Sequence, residues 1–437
     1  MTLQSNSRWI LDNSGDQISL ANTILRRLFK KYIGTFTVRL WDNSELQIGK
    51  GISAFTLCIQ WPSVLRQLVL FRDPVRLAEA YFNSEVEVDG DFSKAMSLRY
   101  YLENLKLPLQ EKLLLALRAL TLKNAVTELQ CSKNKAIAKK ISNSPCQNDV
   151  NSISFHYDVS NEFYELWLDK NMVYSCAYFE TCEQSLDTAQ CNKLDYICRK
   201  LRLQEGETML DIGCGWGALV CWAAKYYGVH SHGITLSRNQ FEYATKEVKK
   251  QGLENLVKIE MRNYRDLPLL STYDKVSSIG MFEHVGLKNL PNYFSIVHQI
   301  LNPGGLFLNH GITSDKPGWS PDIATKFINR HVFPDGELDT MSNIQHRMED
   351  ASFEIFDVES LRAHYAITLR HWVNRLDAQG EKAIHLVGER TYRIWRLYMA
   401  GSALQFEQGA ISIYQILAER KHTELANLPL TRRDLYA

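Results

Sequence analysis

No run of 18 apolar residues occurs in this chain, so the sequence offers no membrane-spanning helix. Its first ten residues, Met1 to Ile10, are polar and lack the apolar centre of a signal peptide. The nine cysteines are odd in number and contain no Cys-x-x-Cys pair. That disfavours a secreted disulfide framework and a zinc ribbon, implies no metal site, and points to a reducing cytosol. Charge of one sign is also lacking. A net charge of +1 argues against nucleic-acid binding through bulk electrostatics. Internal repeats and low-complexity tracts are absent from the sequence.

What is present is a chain of 437 residues, longer than one domain usually runs, so two domains are expected. Hydrophobic residues at 45% and charged residues at 23% are ordinary for a soluble globular protein. The charge is uneven. Residues 1–150 carry 20 Lys/Arg against 14 Asp/Glu, and the remainder 30 against 35. The basic excess therefore lies at the front.

The front region, 1–132, reads as a small α+β domain. Ile18 to Ile33 has helical periodicity, with Ile24, Leu25, Leu28 and Phe29 among Arg26, Arg27, Lys30 and Lys31. Such a helix either packs its apolar stripe into a core or lies on an anionic membrane. Thr35–Trp41, Leu46–Ile48 and Phe55–Gln60 alternate as strands, Pro62–Phe71 and Pro74–Phe82 as helices, and Tyr81–Asp91 reads as a strand ending in an Asp-Gly turn. Residues 133–154 are polar and basic with Ser144-Pro145, an interdomain linker. A catalytic domain, 155–437, follows.

In that domain Met209–Ile212 is a short apolar strand closed by a glycine-rich turn, and residues 218–227 form a helix. Gly213, Gly215 and Gly217 let backbone approach a nucleotide closely, with Asp211 two residues before the first. The spacing G-x-G-x-G is not that of dinucleotide enzymes. A second strand ends at Gly233-Ile234-Thr235, where a dinucleotide enzyme would usually place an acidic residue. Val257–Arg262, Tyr273–Gly280 and a segment after Pro303-Gly304-Gly305 supply three more strands. Strands alternating with helices imply an open parallel α/β sheet, with ligands at the strands' carboxyl ends. This pattern resembles that of Rossmann-like class I methyltransferases.

The resemblance becomes specific over residues 155–310. FHYDVSNEFYELWLD at 155–169, YSCAYF at 174–179, LDIGCGWG at 210–217, GITLSRNQ at 233–240, NYRDLP at 263–268, GMFEHVG at 280–286 and NPGGLFLNHGI at 302–312 resemble the cyclopropane-fatty-acyl-phospholipid synthase and mycolic-acid methyltransferase family. The resemblance implies transfer of the S-adenosylmethionine methyl group to a cis double bond of a phospholipid acyl chain, with bound bicarbonate as the base. The family's bicarbonate positions fall on Cys176, Glu283, His310 and Tyr365, with a backbone contact at Ile312. Its cofactor positions fall on Tyr174 and Ser175 at the methionine moiety, on Asp211, Gly213, Gly215 and Gly217 in the glycine turn, on Thr235, Leu236 and Gln240 near ribose and adenine, and on Asn263, Tyr264 and Arg265 at the adenine edge.

Taken singly, each of these residues has a plainer reading. Cys176 could be a small buried hydrophobe, Glu283 part of a helix start, His310 a partner for a buried carbonyl, and Tyr365 one of twenty tyrosines. Two positions depart from the family. Ser402 stands where many relatives carry a C-terminal cysteine, which excludes a covalent cysteine mechanism there, and Asn263 replaces a common Asp.

The family's substrate also implies a surface for docking on membrane. Exposing about nine acyl methylenes to water would cost about 7 kcal/mol, which calls for an apolar tunnel. Tyr392, Trp395, Tyr398 and Phe406 fall at helical spacing and either line such a tunnel or pack a core. The front domain resembles the lipid-associated N-terminal domain of longer relatives and, loosely, sterol-carrier folds. Its positive charge suits an anionic membrane surface, so transient association with the inner face of the membrane is expected. Relatives dimerise, which implies a homodimer. Methyl-branching and amine N-methyltransferases share the scaffold and remain alternatives, as does a lipid-binding protein without activity.

Overall fold

The computed structural model describes residues 14–71, 74–123, 159–269, 273–318, 336–422 and 428–436. It divides into two compact units, Met1–Asn143 with Glu389–Gly401, and Ser144–Gly388 with Ser402–Ala437. The expected linker, 133–154, and the domain boundaries on either side of it lie outside the described residues. One expectation changes: the catalytic domain is not continuous from 155 to 437, because Glu389–Gly401 belongs to the first unit. Guanidinium groups hold it there. Arg390 donates to Asn83 and Glu79 at 2.8 Å each. The buried Arg393 donates to the Tyr81 carbonyl at 3.0 Å and pairs with Glu87.

In the first unit, β1 (Phe36–Arg39), β2 (Glu45–Ile48), β3 (Phe55–Ile59) and β4 (Val86–Gly90) form a sheet of order β2-β1-β3-β4. Strand β1 runs antiparallel to β2 and parallel to β3, and β4 is antiparallel to β3. Alternation along β1 turns Phe36 and Val38 inward, where Phe36 stacks on Phe55 with centroids 5.1 Å apart. The helix Ser14–Leu28 packs Ile24, Leu25 and Leu28, with Phe29 just beyond it, into this core and leaves Arg26 and Arg27 exposed. Its apolar stripe is spent on the core, so the membrane-helix reading does not apply to that stripe. The strand expected from Tyr81 is shorter, since Tyr81 and Phe82 still belong to the helix Pro74–Phe82.

The second unit holds β5 (Thr208–Ile212), β6 (His230–Thr235), β7 (Val257–Met261), β8 (Tyr273–Ile279), β9 (Leu301–Ser314), β10 (Phe353–Ser360) and β11 (Ile411–Arg420). The order is β10-β11-β9-β8-β5-β6-β7. The five expected strands are parallel. Two more, β10 and β11, were not anticipated, and β11 is antiparallel to both its neighbours. Pro303-Gly304-Gly305 is not a turn before the fifth strand but an irregularity within β9, where the register against β8 shifts between Tyr273 and Lys275. The chain leaves β5 toward β6 and β7, then returns to β8 and β9 on its other side. This reversal places a ligand crevice at the carboxyl ends of β5 and β8.

Candidate active site

The glycine turn after β5 opens the site. Gly213 and Gly215 take φ of 83° and 55°, a region that disfavours side chains, and the Gly213 and Cys214 N–H groups both donate to the Ile234 carbonyl at 3.0 Å. A cavity of about 140 Å³ lies against this turn. Its lining includes Tyr174, Ser175, Asp211, Gly213, Gly215, Thr235, Leu236, Gln240 and Tyr264, so these nine expected cofactor positions converge. Gly217, Asn263 and Arg265 are not in that lining. Gly217 starts the helix Ala218–Tyr227 and packs closely on Ala244. The Asn263 side chain caps the short turn Tyr264–Asp266 by accepting from Arg265 N–H, and the exposed Arg265 guanidinium lies 5.0 Å from the Tyr264 ring centroid.

The lining side chains are held by one another. Asp211 accepts from the Ser277 hydroxyl at 2.6 Å, and burial lifts its carboxyl to about 6. The Thr235 hydroxyl donates to Gln240 Oε1 at 2.8 Å. Tyr174 sits among rings, with Trp372 at 5.2 Å and Trp167 at 5.4 Å.

Lys193 was missed by the sequence reading. It is 1% exposed, lines the cavity and donates from Nζ to Ser175 Oγ at 2.9 Å. Burial lowers its ammonium to about 8, against the pull of Asp169, Cys176 and Asp211. A signal was available. On the helix Leu186–Lys200 it shares the inward stripe with Leu186, Ala189, Gln190, Leu194 and Ile197, and a lysine inside an apolar stripe needs a reason. His284, also unanticipated, lines the cavity with its imidazole lowered to about 4 by burial.

Beside this cavity the expected reaction residues form one connected set. Glu283 follows β8 on the short helix Phe282–Val285, and its Oε1 accepts from the Ile312 N–H of β9 at 2.7 Å. Ile312 was expected to make a backbone contact with an anion, and its N–H here donates to Glu283. Glu283 Oε2 is buried without a partner among the described residues, and burial raises the carboxyl to about 7. His310 on β9 is fully buried, with Nδ1 3.4 Å from Gln415 Nε2 across the β9–β11 pair. With the Gln415 amide donating to Nδ1, the proton sits on Nε2, which has no partner among the described residues. Burial pushes this imidazole well below its ordinary range and keeps it neutral.

The remaining two residues join through Leu361. Its carbonyl accepts from Tyr365 N–H at 3.0 Å and lies 3.8 Å from the Cys176 thiol, and its N–H donates to Ile413, the β11 partner of Ile312. Cys176 is fully buried and its thiol is pushed up by burial, so it is not a thiolate nucleophile. The Tyr365 ring packs on Phe406 at 4.7 Å. Of the expected aromatic stripe, Phe406 belongs to this unit, whereas Tyr392, Trp395 and Tyr398 belong to the first.

Comparison with known proteins agrees with this geometry. The sequence profile of mycolic acid cyclopropane synthetase matches residues 145–416. The chain belongs to this family. Its members are class I S-adenosylmethionine-dependent methyltransferases, and the α/β sheet described above is theirs. A Pseudomonas putida protein named probable fatty acid methyltransferase is 40% identical over 402 residues, 91% of this chain and 95% of that one. A cyclopropane synthase structure from Mycobacterium tuberculosis superposes with a TM-score of 0.59 at 32% identity, covering 64% of this chain and all of that one. A mycolic acid cyclopropane synthase complexed with SAH and CTAB gives 0.58 at 33% identity over 62% and 98%. Residues 20–108 match a domain of unknown function.

Proposed function

We propose that this family member carries methyl groups from S-adenosylmethionine to cis double bonds of acyl chains esterified in phospholipid and closes them to cyclopropanes, with bicarbonate as the base. The observation that carries this reading is the pair of buried atoms without partners, Glu283 Oε2 and His310 Nε2. Leaving such atoms unpaired costs roughly 1–3 kcal/mol each. One ligand that donates to a carboxylate and accepts from an imidazole N–H satisfies both, and bicarbonate does so.

When bound, S-adenosylmethionine would supply an activated methyl group and bicarbonate a weak base. The chain's residues supply position and exclusion. The glycine turn, Thr235 with Gln240, and Tyr264 form the walls against which the nucleoside packs, and Lys193 with Ser175 places positive charge toward an anionic end of the cofactor. The chemistry the cofactor would supply is transfer of the methyl group to the alkene π pair, the C–S electrons returning to sulfur and positive charge being left on the acyl chain. Glu283 and His310 would hold the proton acceptor for the next step. Loss of one methyl proton leaves the electron pair that closes the ring. Burial of Cys176, His310 and Glu283 excludes water that would otherwise trap the cation.

A second reading has support in the name of the Pseudomonas relative, a fatty acid methyltransferase. A methyl-branched product shares every step up to the cation and differs in which proton is lost. One experiment separates the two. The protein is incubated with S-adenosylmethionine, bicarbonate and liposomes of a cis-monounsaturated anionic phospholipid, and the acyl chains are then analysed by chromatography and mass spectrometry. A product one methylene heavier that co-migrates with a cyclopropane standard is expected. The same added mass with unsaturation retained would favour branching. Cofactor binding with no product would overturn both.

A further inference from the structure

Two loops of the first unit meet at one end of its sheet. The first follows the helix Ser14–Leu28 and carries Ile33-Gly34, and the second joins β2 to β3 and carries Gly49 to Ile52. They abut closely: a Cβ on Gly49, where φ is +82°, would stand 1.9 Å from the Gly34 carbonyl oxygen. The Thr35 hydroxyl donates to the Lys50 carbonyl at 2.7 Å, and the Gln47 amide donates to Gly51 O at 2.8 Å. The result is a braced tip, and on it Ile33 and Ile52 are each 97% exposed. Lys30 and Lys31 precede Ile33 and Lys50 precedes Ile52 in the chain, all three exposed and forming no ion pair among the described residues. Of the nearby acids, Asp89 lies opposite Thr56 toward this same end of the sheet and Glu45 toward the other, and both are paired with Arg39 at 3.0 Å. Asp91 caps the next helix and pairs with Lys94.

Two fully presented isoleucines, flanked in the chain by lysines that form no ion pair among the described residues, suit one kind of partner. The geometry points to this tip as the element that docks on an anionic lipid bilayer, with Ile33 and Ile52 entering the headgroup boundary and Lys30, Lys31 and Lys50 against the phosphates. A second copy of the chain fits poorly. A two-fold contact would set like charges against each other, and two side chains fall far short of the roughly 800 Å² per partner that a stable dimer buries. The inference extends the reading that the acceptor is a membrane lipid, and its test separates the two claims.

Full-length protein is sedimented with vesicles of phosphatidylcholine, with and without phosphatidylglycerol. Binding to the anionic vesicles that weakens with salt is expected. The double variant Ile33→Ser with Ile52→Ser should bind roughly tenfold more weakly or worse, as should the triple Lys30→Gln, Lys31→Gln, Lys50→Gln variant. Cofactor affinity, and turnover on detergent-dispersed lipid, should stay unchanged. Because the replaced side chains are exposed, folding is not at issue. An Ile52→Trp variant should show a fluorescence blue shift on the same vesicles. Wild-type binding equalled by the double variant, no wild-type binding at all, or a change in oligomeric mass in place of vesicle binding would overturn the assignment. Tip-dependent binding without turnover would keep the docking surface and remove the acyl-transfer reading.

Discussion

Replacing Glu283 with Gln should make the protein more stable and nearly inactive, and pH decides when the gain appears. Burial raises the Glu283 carboxyl from 4.5 to about 7. Below about pH 4.5 the group is protonated in both folded and unfolded chains and costs nothing. Between about 4.5 and 7 the unfolded chain ionises while the folded one holds its proton, so stability falls as pH rises. Above about 7 the penalty is complete, and this span amounts to about 3 kcal/mol. The Gln carbonyl can keep the bond from Ile312 N–H, which is 2.7 Å in the wild type, so the amide removes the charge and leaves the framework. The gap between variant and wild type should be near zero at about pH 4.5 and reach about 2–3 kcal/mol at about pH 8, roughly 5 °C in Tm for a domain of this size. Groups common to both proteins cancel in the difference. Thermal melts of the cofactor-free proteins across that range give the gap. Turnover with liposomes should fall about a hundredfold or more, with cofactor affinity unchanged by calorimetry. A gap that ignores pH would refute the burial argument. Wild-type turnover would remove Glu283 from the reaction.

Lys193→Met should weaken cofactor binding roughly tenfold or more, the worth of a hydrogen bond to a charged group. Wild-type affinity should also decline as pH passes about 8, where this lysine loses its proton, and a variant with the same pH profile would remove that role. Gly311→Ala places a Cβ 2.2 Å from the Phe282 ring. It should cost about 1–3 kcal/mol by melting and lower turnover by moving the neighbouring Glu283, whereas an unchanged melt would show that Phe282 yields freely.

The strands β5 to β9 were legible because they alternate with helical patterns and are bounded by glycine or polar turns, and that signal is local. β11 was not. Its residues Gln415 to Glu419 are buried one after another, polar ends included, so no alternation marked it against the preceding helix. The kinked interior of β9 reads as a turn in sequence because Pro303-Gly304-Gly305 is turn chemistry, and Gly304 does take a φ of +75°. Pairing with β8 and β11 makes it strand. The amphipathic helix at the front suited a core or a membrane, and the packing of Ile24, Leu25, Leu28 and Phe29 settles its stripe in the core.

By itself the sequence determined the family, the glycine turn and the identities of Cys176, Glu283, His310 and Tyr365, since these are carried by residue types at fixed spacings. Tertiary structure decided what those groups can do. It spent the Ile312 N–H on Glu283, left Glu283 Oε2 and His310 Nε2 without partners, and buried Lys193 beside Ser175. Protonation, pairing and desolvation depend on neighbours from other elements, 18 residues away for Ser175 beside Lys193 and 105 for Gln415 beside His310, and no local pattern encodes them.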